Sequence, residues 1–414
     1  MLFRSNKNID YLKIHYENYN YPEPVQDIDK ELIEKNIVYY DDPTYNWHKI
    51  FPEKAFSKNK ISILIAGCGT EQAAIIAKLS PQHEVIGVDL SSNSLKHQQK
   101  LIDKHKINNL KLICNDFREV KFDKKFDLII STGVIHHLEN PGSALKYFYN
   151  NLKDDGAISL MVYGNKSTHA TNELRKLFFK LNFKHDKESI ESVRKIYDKI
   201  KPNHPGVIHS KNSSELKYDS GIVDHILHQS EHFYSIRALN ELLNENKLII
   251  KNFIDSRIKS LTKFFYDDDL LLKKIRDLNY IDQLELGQIL NWDDKKISLI
   301  CCKDKYIKNS LIMSPLDLDN IYICTRTGCS YKMNNASIKI NLDTEEEFTF
   351  SLNIKNEFVN TWQEVFTGKK KLKYLFDLYN NEEKNYVKKI LTILVENIFV
   401  DVSLHPITSP RSIK

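Results

Sequence analysis

The chain lacks long apolar runs. Nowhere in its 414 residues do about 18 apolar residues follow one another, so a membrane-spanning helix is not expected. The segment Met1–Ser5 leads into asparagine and charge rather than into an apolar core, and we do not expect a secretory signal. The six cysteines form no paired framework, which is typical of the reducing cytoplasm, the location we expect.

A strong excess of positive charge is also missing. The net charge of +5 is small beside 60 basic and 55 acidic side chains. A nucleic-acid-binding chain more often carries a basic stripe with arginine, and the Asn-Pro-Pro-Tyr type of motif found in base-flipping enzymes is absent. Nucleic acid is therefore not expected as a partner. An apolar content of 41% is ordinary for a globular protein. A length of 414 residues leaves room for two or three domains.

An apolar run that ends in a glycine-rich turn is the most informative feature present. The run Ile63–Ala66 leads into Gly67-Cys68-Gly69-Thr70, and a second apolar run closes on Asp89. This pattern predicts the first β-α-β unit of a nucleotide-binding sheet. The two glycines let the backbone turn sharply and approach a ligand. Asp89 follows Gly69 by 20 residues, where a carboxylate can accept both ribose hydroxyls of an adenosine.

The third glycine of a dinucleotide fingerprint is missing. Gln72 stands in its place, and the neighbouring Glu71 would repel a phosphate. These residues disfavour a nicotinamide or flavin dinucleotide. They are compatible with a cationic ligand that has no phosphate, such as S-adenosylmethionine.

Strand and helix patterns alternate after residue 60, which predicts a parallel sheet with right-handed crossovers. Strands are predicted near 61–66, 84–89, 110–114, 126–131 and 156–163, with helices near 71–79, 92–105 and 141–152. We expect an N-terminal arm over 1–60, a core domain over 61–305 with a helical insertion at about 166–240, and a small C-terminal α+β domain of winged-helix-like character over 306–414.

Four segments in order resemble the motifs of class I S-adenosylmethionine-dependent methyltransferases: Ala66–Thr70, Val88–Ser91, Cys114–Phe117 and Phe126–Pro141. Leu152–Gly156 stands where that family has a Leu-Lys-Pro-Gly-Gly turn, with Asp154-Asp155 replacing Pro-Gly. Tyr16–Pro22 and Asp224–His228 are similar to segments of a bacterial branch of these enzymes. The C-terminal module is similar to one appended to bacterial protein-lysine methyltransferases.

The resemblance implies a Rossmann-like α/β sheet and S-adenosyl-L-methionine as cofactor. In this family the acid of the second strand binds the ribose, and the acid of the third strand usually accepts from the adenine amino group. The cofactor-binding residues it implies are Ala66, Gly67, Cys68, Gly69, Asp89, Leu90, Asn115, Asp116, Phe117, Thr132 and Gly133.

Histidines at two places are candidates for contact with the methyl acceptor. His136 or His137 could deprotonate it, or both could simply shape the loop after the fourth strand. Asp224, His228 and His232 are spaced to share one helix face, as a polar wall of the acceptor pocket or a solvated face. No fourth ligand accompanies those three residues, so a metal site is not expected.

Aromatic residues are further candidates for the acceptor pocket. Tyr234 could add to an aromatic wall, and Tyr21 belongs to a tyrosine-rich arm that could attract a sulfonium or methylammonium. The same aromatic residues could instead fasten the arm to the core.

The hypothesis that follows is a bacterial, cytoplasmic methyltransferase. The C-terminal resemblance favours a protein (Lys) acceptor, and a small-molecule acceptor is the alternative. A non-catalytic cofactor-binding regulator is the competing class. A homodimer is a possible assembly.

Overall fold

The computed structural model describes residues 16–19, 21–34, 39–57, 59–165, 169–207, 214–228, 231–254, 261, 264–265, 268–291, 296–309, 317–326, 329–333, 337–342, 347–351, 355–396 and 400–407. The expected N-terminal arm over 1–60 and the expected insertion at 166–240 thus lie partly outside the described residues. The chain forms two compact units. The first comprises 1–37, 60–249 and 292–304, and the second comprises 38–59, 250–291 and 305–414.

A seven-stranded sheet forms the centre of the first unit. Its strands, in spatial order 3-2-1-4-5-7-6, are β1 Ser62–Ala66, β2 Glu84–Asp89, β3 Leu110–Cys114, β4 Phe126–Thr132, β5 Leu152–Tyr163, β6 Leu248–Phe253 and β7 Lys296–Lys303. β1 to β5 pair in parallel, whereas β7 runs antiparallel to β5. The division between the two units falls within β6. The α/β sheet that the sequence predicts is confirmed.

Helices connect the parallel strands, and local capping sets where they begin. Gln72–Leu79 follows β1, Ser92–His105 follows β2 and Pro141–Asn151 follows β4. The Ser91 hydroxyl accepts from the backbone N–H of Ser94, which satisfies one of the unpaired donors at the start of that helix. Every residue of β1 is buried, as expected for a strand covered on both faces.

β5 begins earlier than predicted. The segment Leu152–Gly156, expected as a turn, is the first part of this strand. Its pairing with β4 is interrupted between Phe126 and Leu128, so the extra residues form an irregularity of the ladder. Asp154 and Asp155 interrupt the apolar pattern, so the sequence did not indicate that the strand begins at Leu152.

The insertion forms a small helical layer with its own core. Its helices include His169–Lys180, Lys187–Lys199 and Asp219–His225. Leu174, Phe178 and Ile222 are among the buried residues that pack together there. A further helix, Ile236–Glu245, leads back to β6.

The second unit contains two three-stranded sheets. The strands of one sheet are β9 Cys329–Met333, β10 Ser337–Leu342 and β11 Glu347–Ser351, in the spatial order β11-β10-β9. The strands of the other are β8 Tyr322–Thr325, β12 Thr367–Lys371 and β13 Val400–Ser403, in the spatial order β12-β8-β13. Its helices are Pro43–Ile50, Asp269–Arg276, Tyr280–Leu290, Val359–Phe366, Lys373–Phe376 and Asn381–Glu396. Trp362 and Leu391 lie in its apolar core. Residues 250–291, which we expected inside the core domain, belong to this unit.

Among the described residues, every helix is too short or too polar to cross a membrane.

Candidate functional site

The turn after β1 has room only for glycine at one position. Gly67 has φ +75°, and its N–H donates to the Val88 carbonyl at 2.8 Å. A Cβ at this residue would lie 2.4 Å from Cγ2 of Val134, in the loop after β4. Gly69 also has positive φ, at +56°. The turn therefore brings the ends of β1, β2 and β4 close together.

A buried glutamine fixes this turn, and sequence analysis did not identify it. Gln98, in the helix after β2, donates from Nε2 to the carbonyls of Gly69 at 2.7 Å and Cys68 at 3.1 Å. Its Oε1 accepts from the Ala74 N–H at 3.0 Å. Gln98 is spaced three residues from both Leu95 and Leu101, and this helical spacing could have indicated that Gln98 lies on the buried face.

Asp89 closes the site from β2. Its Oδ2 accepts from the Gly69 N–H at 2.8 Å, and its Oδ1 accepts from the Ser91 N–H at 2.9 Å. Burial raises the pKa of the Asp89 carboxyl, and the two N–H groups oppose that rise by favouring the charged form. Each oxygen keeps acceptor capacity for one more donor. Leu90, which follows, accepts at its carbonyl from the Cys114 thiol.

The third strand ends on an acid that is already ion-paired. Asp116 accepts from Arg118 Nε at 3.0 Å and Nη2 at 2.7 Å, and from the Arg118 backbone N–H. Asn115 is exposed, and its Oδ1 accepts from the Asp116 N–H. The Phe117 ring is buried and stacks on Phe148, with 5.4 Å between centroids. A contact of these residues with an adenine stays a prediction.

Thr132 and Gly133 continue the edge at the end of β4. Thr132 Oγ1 accepts from Gln72 Nε2 at 2.9 Å, and the Gly133 N–H donates to the Met161 carbonyl at 3.1 Å. Gly133 has φ +73°. Gln72, which replaces the third fingerprint glycine, thus connects the first helix to the fourth strand.

The N-terminal arm lies across this edge. The Pro22 carbonyl accepts from the Thr70 hydroxyl at 3.1 Å, and the Val25 N–H donates to Glu71 Oε2 at 3.2 Å. The Tyr21 carbonyl lies 3.6 Å from where a Cβ on Gly69 would be. Glu71, which departs from the family pattern, therefore holds the arm beside the glycine turn.

The arm also reaches the insertion through Tyr16. Its hydroxyl donates to Asp224 Oδ1 at 3.2 Å, and its carbonyl accepts from the Ser91 hydroxyl. Burial, together with the nearby Asp224 carboxylate, raises the pKa of Tyr16 well above its ordinary value. The phenol therefore stays protonated and acts as a hydrogen-bond donor.

One expectation for the insertion was wrong. Asp224, His228 and His232 do not share a helix face, because the helix Asp219–His225 ends before His228. The chain turns there, and Arg175 donates to the His228 carbonyl. The structure nonetheless places Asp224 and His228 together, beside His137 of the loop after β4.

His137 is the centre of this polar cluster. Its ring centroid lies 4.2 Å from that of His228 and 6.4 Å from that of Tyr16. Its Nδ1 lies 4.0 Å from Glu231 Oε1, and Glu231 is ion-paired with Arg175. Glu231 and Arg175 were missed by sequence analysis, because a loop and the helix His169–Lys180, which are distant from each other in the sequence, bring them to the site.

His136 is fully buried, and among the described residues neither of its ring nitrogens has a hydrogen-bond partner. Its ring lies 4.4 Å from Tyr163 and 4.1 Å from His137, between centroids. Burial lowers the pKa of His136 well below its ordinary value, so this imidazole is neutral at pH 7.

Tyr234 ties the end of the insertion to β5. Its N–H donates to the Tyr163 carbonyl at 2.9 Å, and its carbonyl accepts from the Asn165 N–H at 3.0 Å. Burial raises the pKa of Tyr234 to about 12. These contacts give Tyr234 a place in the wall of the site, and contact with an acceptor stays a prediction.

Comparison with known proteins agrees with this geometry. Residues 57–241 match a family described as a methyltransferase domain. A malonyl-[acyl-carrier protein] O-methyltransferase of Priestia megaterium is 30% identical over 111 residues, 27% of this chain and 39% of that protein. The chain thus spans about two fifths of the length of this relative. An uncharacterized protein of Synechococcus sp. is 23% identical over 67% of each chain.

A solved structure extends the likeness to most of the chain. PKMT2 from Rickettsia typhi, in complex with AdoHcy, has a TM-score of 0.61 and 16% identity, and the match covers 88% of this chain and 76% of that one. At this identity the likeness concerns the fold.

Proposed function

We propose that the chain is a class I S-adenosylmethionine-dependent methyltransferase, with S-adenosylmethionine as its cofactor, and that it transfers the cofactor's methyl group to an amine. The match of residues 57–241 to a methyltransferase domain and the fold shared with a structure in complex with AdoHcy support this proposal. A lysine side chain of a protein is the favoured acceptor. A small-molecule acceptor is the alternative. The observation that carries the proposal is the buried Asp224 carboxylate beside His137, at the carboxyl edge of the sheet.

The residues at the edge fit the cofactor. Gly67, Gly69 and Gly133 have left-handed backbone conformations and no Cβ, which leaves their peptide groups open to a ligand. Asp89 is positioned to accept the ribose hydroxyls, because both of its oxygens are already oriented by N–H donors. The bound cofactor would supply an electrophilic methyl group on a positively charged sulfur.

The chain's own contribution is mainly positioning. The arm contacts the turn after β1 through Pro22 and the end of β2 through Tyr16. Asp224 of the insertion binds Tyr16 and lies beside the loop after β4. Enclosure of this kind excludes water and holds an acceptor in line with the methyl carbon. A carboxylate in such a place attracts a cationic amine, and this is why an amine is favoured over a neutral hydroxyl. The ammonium must lose a proton before its nitrogen can attack the methyl carbon, and His137, beside Asp224, is positioned to accept that proton.

The relatives support methyl transfer, but their names give different methyl acceptors. Besides the O-methyltransferase, a probable (S)-tetrahydroprotoberberine N-methyltransferase of Papaver bracteatum is 23% identical over 50% of this chain and 54% of its own length. The protein acceptor is proposed from the resemblance of the C-terminal module. A bacterial origin is proposed from the resemblance of Tyr16–Pro22 and Asp224–His228 to a bacterial branch, and a cytoplasmic location from the six cysteines without a paired framework.

The test is transfer of a labelled methyl group from S-adenosylmethionine in an extract of the source organism, separated into protein, nucleic-acid and small-molecule fractions. We expect label in protein, in acid-stable methyl-lysine. Label in the small-molecule fraction would replace the favoured acceptor by the alternative. Absence of label from every fraction, with cofactor binding intact, would contradict methyl transfer and favour a binding protein.

A further inference from the structure

Three side chains of the polar cluster come from separate segments and could ligate one metal ion. His137 follows β4, Asp224 lies in the helix Asp219–His225, and His228 lies in the turn after that helix. Each offers a ligand atom, and these atoms all lie within 4.8 Å of one another. The exposed fractions are 4% for His137, 2% for Asp224 and 0% for His228.

We propose that His137, Asp224 and His228 bind one divalent transition-metal ion of the Zn²⁺ class. Two imidazoles and a carboxylate are a common protein ligand set for such ions, with a further position left for water or substrate. Ligand atoms that share a tetrahedral Zn²⁺ ion each lie about 2.0–2.2 Å from it, so they are about 3.3–3.6 Å apart. The three side chains therefore have to rotate toward a common point when the ion binds.

The surroundings of the cluster have the features of a metal site. Tyr16 donates to Asp224 Oδ1, in the way that an outer hydrogen bond orients a ligating carboxylate. His136, buried and without a hydrogen-bond partner among the described residues, packs against His137.

Three other clusters compete for the same role. In the cluster of Asp27, Asp29 and His105, Lys104 Nζ lies 2.8 Å from Asp27 Oδ2 and Lys78 Nζ lies 2.6 Å from Asp29 Oδ1, so both carboxylates already have a cation beside them. His136, His137 and Glu231 also lie within 4.8 Å of one another, but the Arg175 guanidinium already pairs with Glu231 and would repel a metal ion there. In the second unit, His48, Cys324 and Asp401 are similarly close. There the ammonium of Lys49 lies 3.3 Å from Asp401 Oδ2 and occupies the place of a cation.

A metal ion and a cationic amine would use the same Asp224 carboxylate, and not at the same time, so the titration is done without a methyl acceptor and its readout is metal binding alone. The purified full-length chain is stripped with a chelator and titrated with Co²⁺, which reports its ligands through visible absorption. We expect one Co²⁺ per chain, displaced by Zn²⁺. His228→Gln and Asp224→Asn should each weaken binding by at least about tenfold, and Tyr16→Phe should weaken it with the stoichiometry unchanged.

Matched variants identify which cluster binds. Cys324→Ser should leave the absorption and the affinity as in the wild type. A band abolished by Cys324→Ser would place the metal in the second unit and overturn the proposal. A band abolished by Glu231→Gln but kept in Asp224→Asn would overturn it in favour of the neighbouring set. Absence of Co²⁺ binding by the folded wild-type chain would overturn it without reference to any variant.

Discussion

Gly67 illustrates, at the scale of a single residue, how the site depends on the absence of a side chain. Gly67→Ala would place a methyl group 2.4 Å from Val134 Cγ2, at a φ of +75°. We expect a loss of about 2–4 kcal/mol in the free energy of unfolding, from strain and overpacking together. Urea unfolding measures it.

The double variant Gly67→Ala with Val134→Ala separates the two costs. The double variant should recover the stability lost through the clash with Val134, and it should retain the loss that comes from the positive φ at residue 67. Gly142→Ala, at the start of a helix and without positive φ, is the control and should change stability little. A Gly67→Ala chain as stable as the wild type would contradict the close packing described for this turn.

His136 makes a prediction about pH. Burial lowers its pKa in the folded chain, so the unfolded chain binds a proton more readily. Above the ordinary histidine pKa, protonation of His136 therefore costs the folded chain no stability. As the pH falls below that pKa, the free energy of unfolding decreases. Between pH 7 and 5 the wild type should lose up to about 1.4 kcal/mol per pH unit from this residue.

His136→Phe should flatten that dependence, as measured by urea unfolding at pH 7, 6 and 5. His169→Asn, which removes an exposed imidazole, should leave the slope unchanged. Equal slopes in the wild type and His136→Phe would mean that this imidazole is not held neutral by burial.

At the scale of elements, Gln98 joins the helix Ser92–His105 to the glycine turn. Gln98→Ala would leave the buried Ala74 N–H without its acceptor and the Gly69 carbonyl without its Gln98 donor. We expect a loss of about 2–4 kcal/mol in stability, with weaker cofactor binding. Thermal unfolding and calorimetric titration with S-adenosylhomocysteine measure the two effects.

The neighbouring Gln99→Ala is the matched control. Gln99 is exposed on the same helix and donates to Asp103. Its removal should cost less than about 0.5 kcal/mol. If the two alanine variants behaved alike, the assignment of Gln98 to the turn would be wrong.

The sequence predicts these elements well where apolar runs are long. β1 and β2 have nearly the predicted bounds, because strands buried on both faces read as continuous apolar runs. The start of β5 and the end of the helix Asp219–His225 were missed. An irregular strand pairing and a tertiary contact determine them, and neither leaves a periodic signal in the chain.

The candidate site also contains both residues that the sequence predicts and residues that it does not. Residues at strand ends, such as Gly67 and Asp89, follow from spacing along the chain, because parallel strands end at one edge. Arg175 and Glu231 do not, because their pairing depends on how the insertion folds back onto the loop after β4.

At the scale of the whole molecule, the second unit is assembled from three stretches of chain around a buried ion pair. Lys49 Nζ lies 3.3 Å from Asp401 Oδ2, and His48 Nε2 lies 3.2 Å from the same oxygen. Burial would raise the pKa of Asp401, but Lys49 and His48 outweigh it and hold that pKa below its ordinary value.

Asp401→Asn would leave the Lys49 cation buried without this counter-charge, and we expect a loss of about 3–5 kcal/mol. Adding Lys49→Met should restore much of it, and the exposed Asp377→Asn should have little effect. Denaturant unfolding of the four chains checks this. A fully stable Asp401→Asn variant would show that the ion pair contributes little to this unit.

The central claim is that the carboxyl edge of the seven-stranded sheet binds the cofactor through Asp89. Its most direct test is calorimetric titration of the wild type, Asp89→Ala and the exposed Asp123→Ala with S-adenosylhomocysteine. We expect one site per chain in the wild type and in Asp123→Ala, and we expect binding weakened by at least about tenfold in a folded Asp89→Ala chain. Unchanged affinity in Asp89→Ala would show that Asp89 does not bind the cofactor.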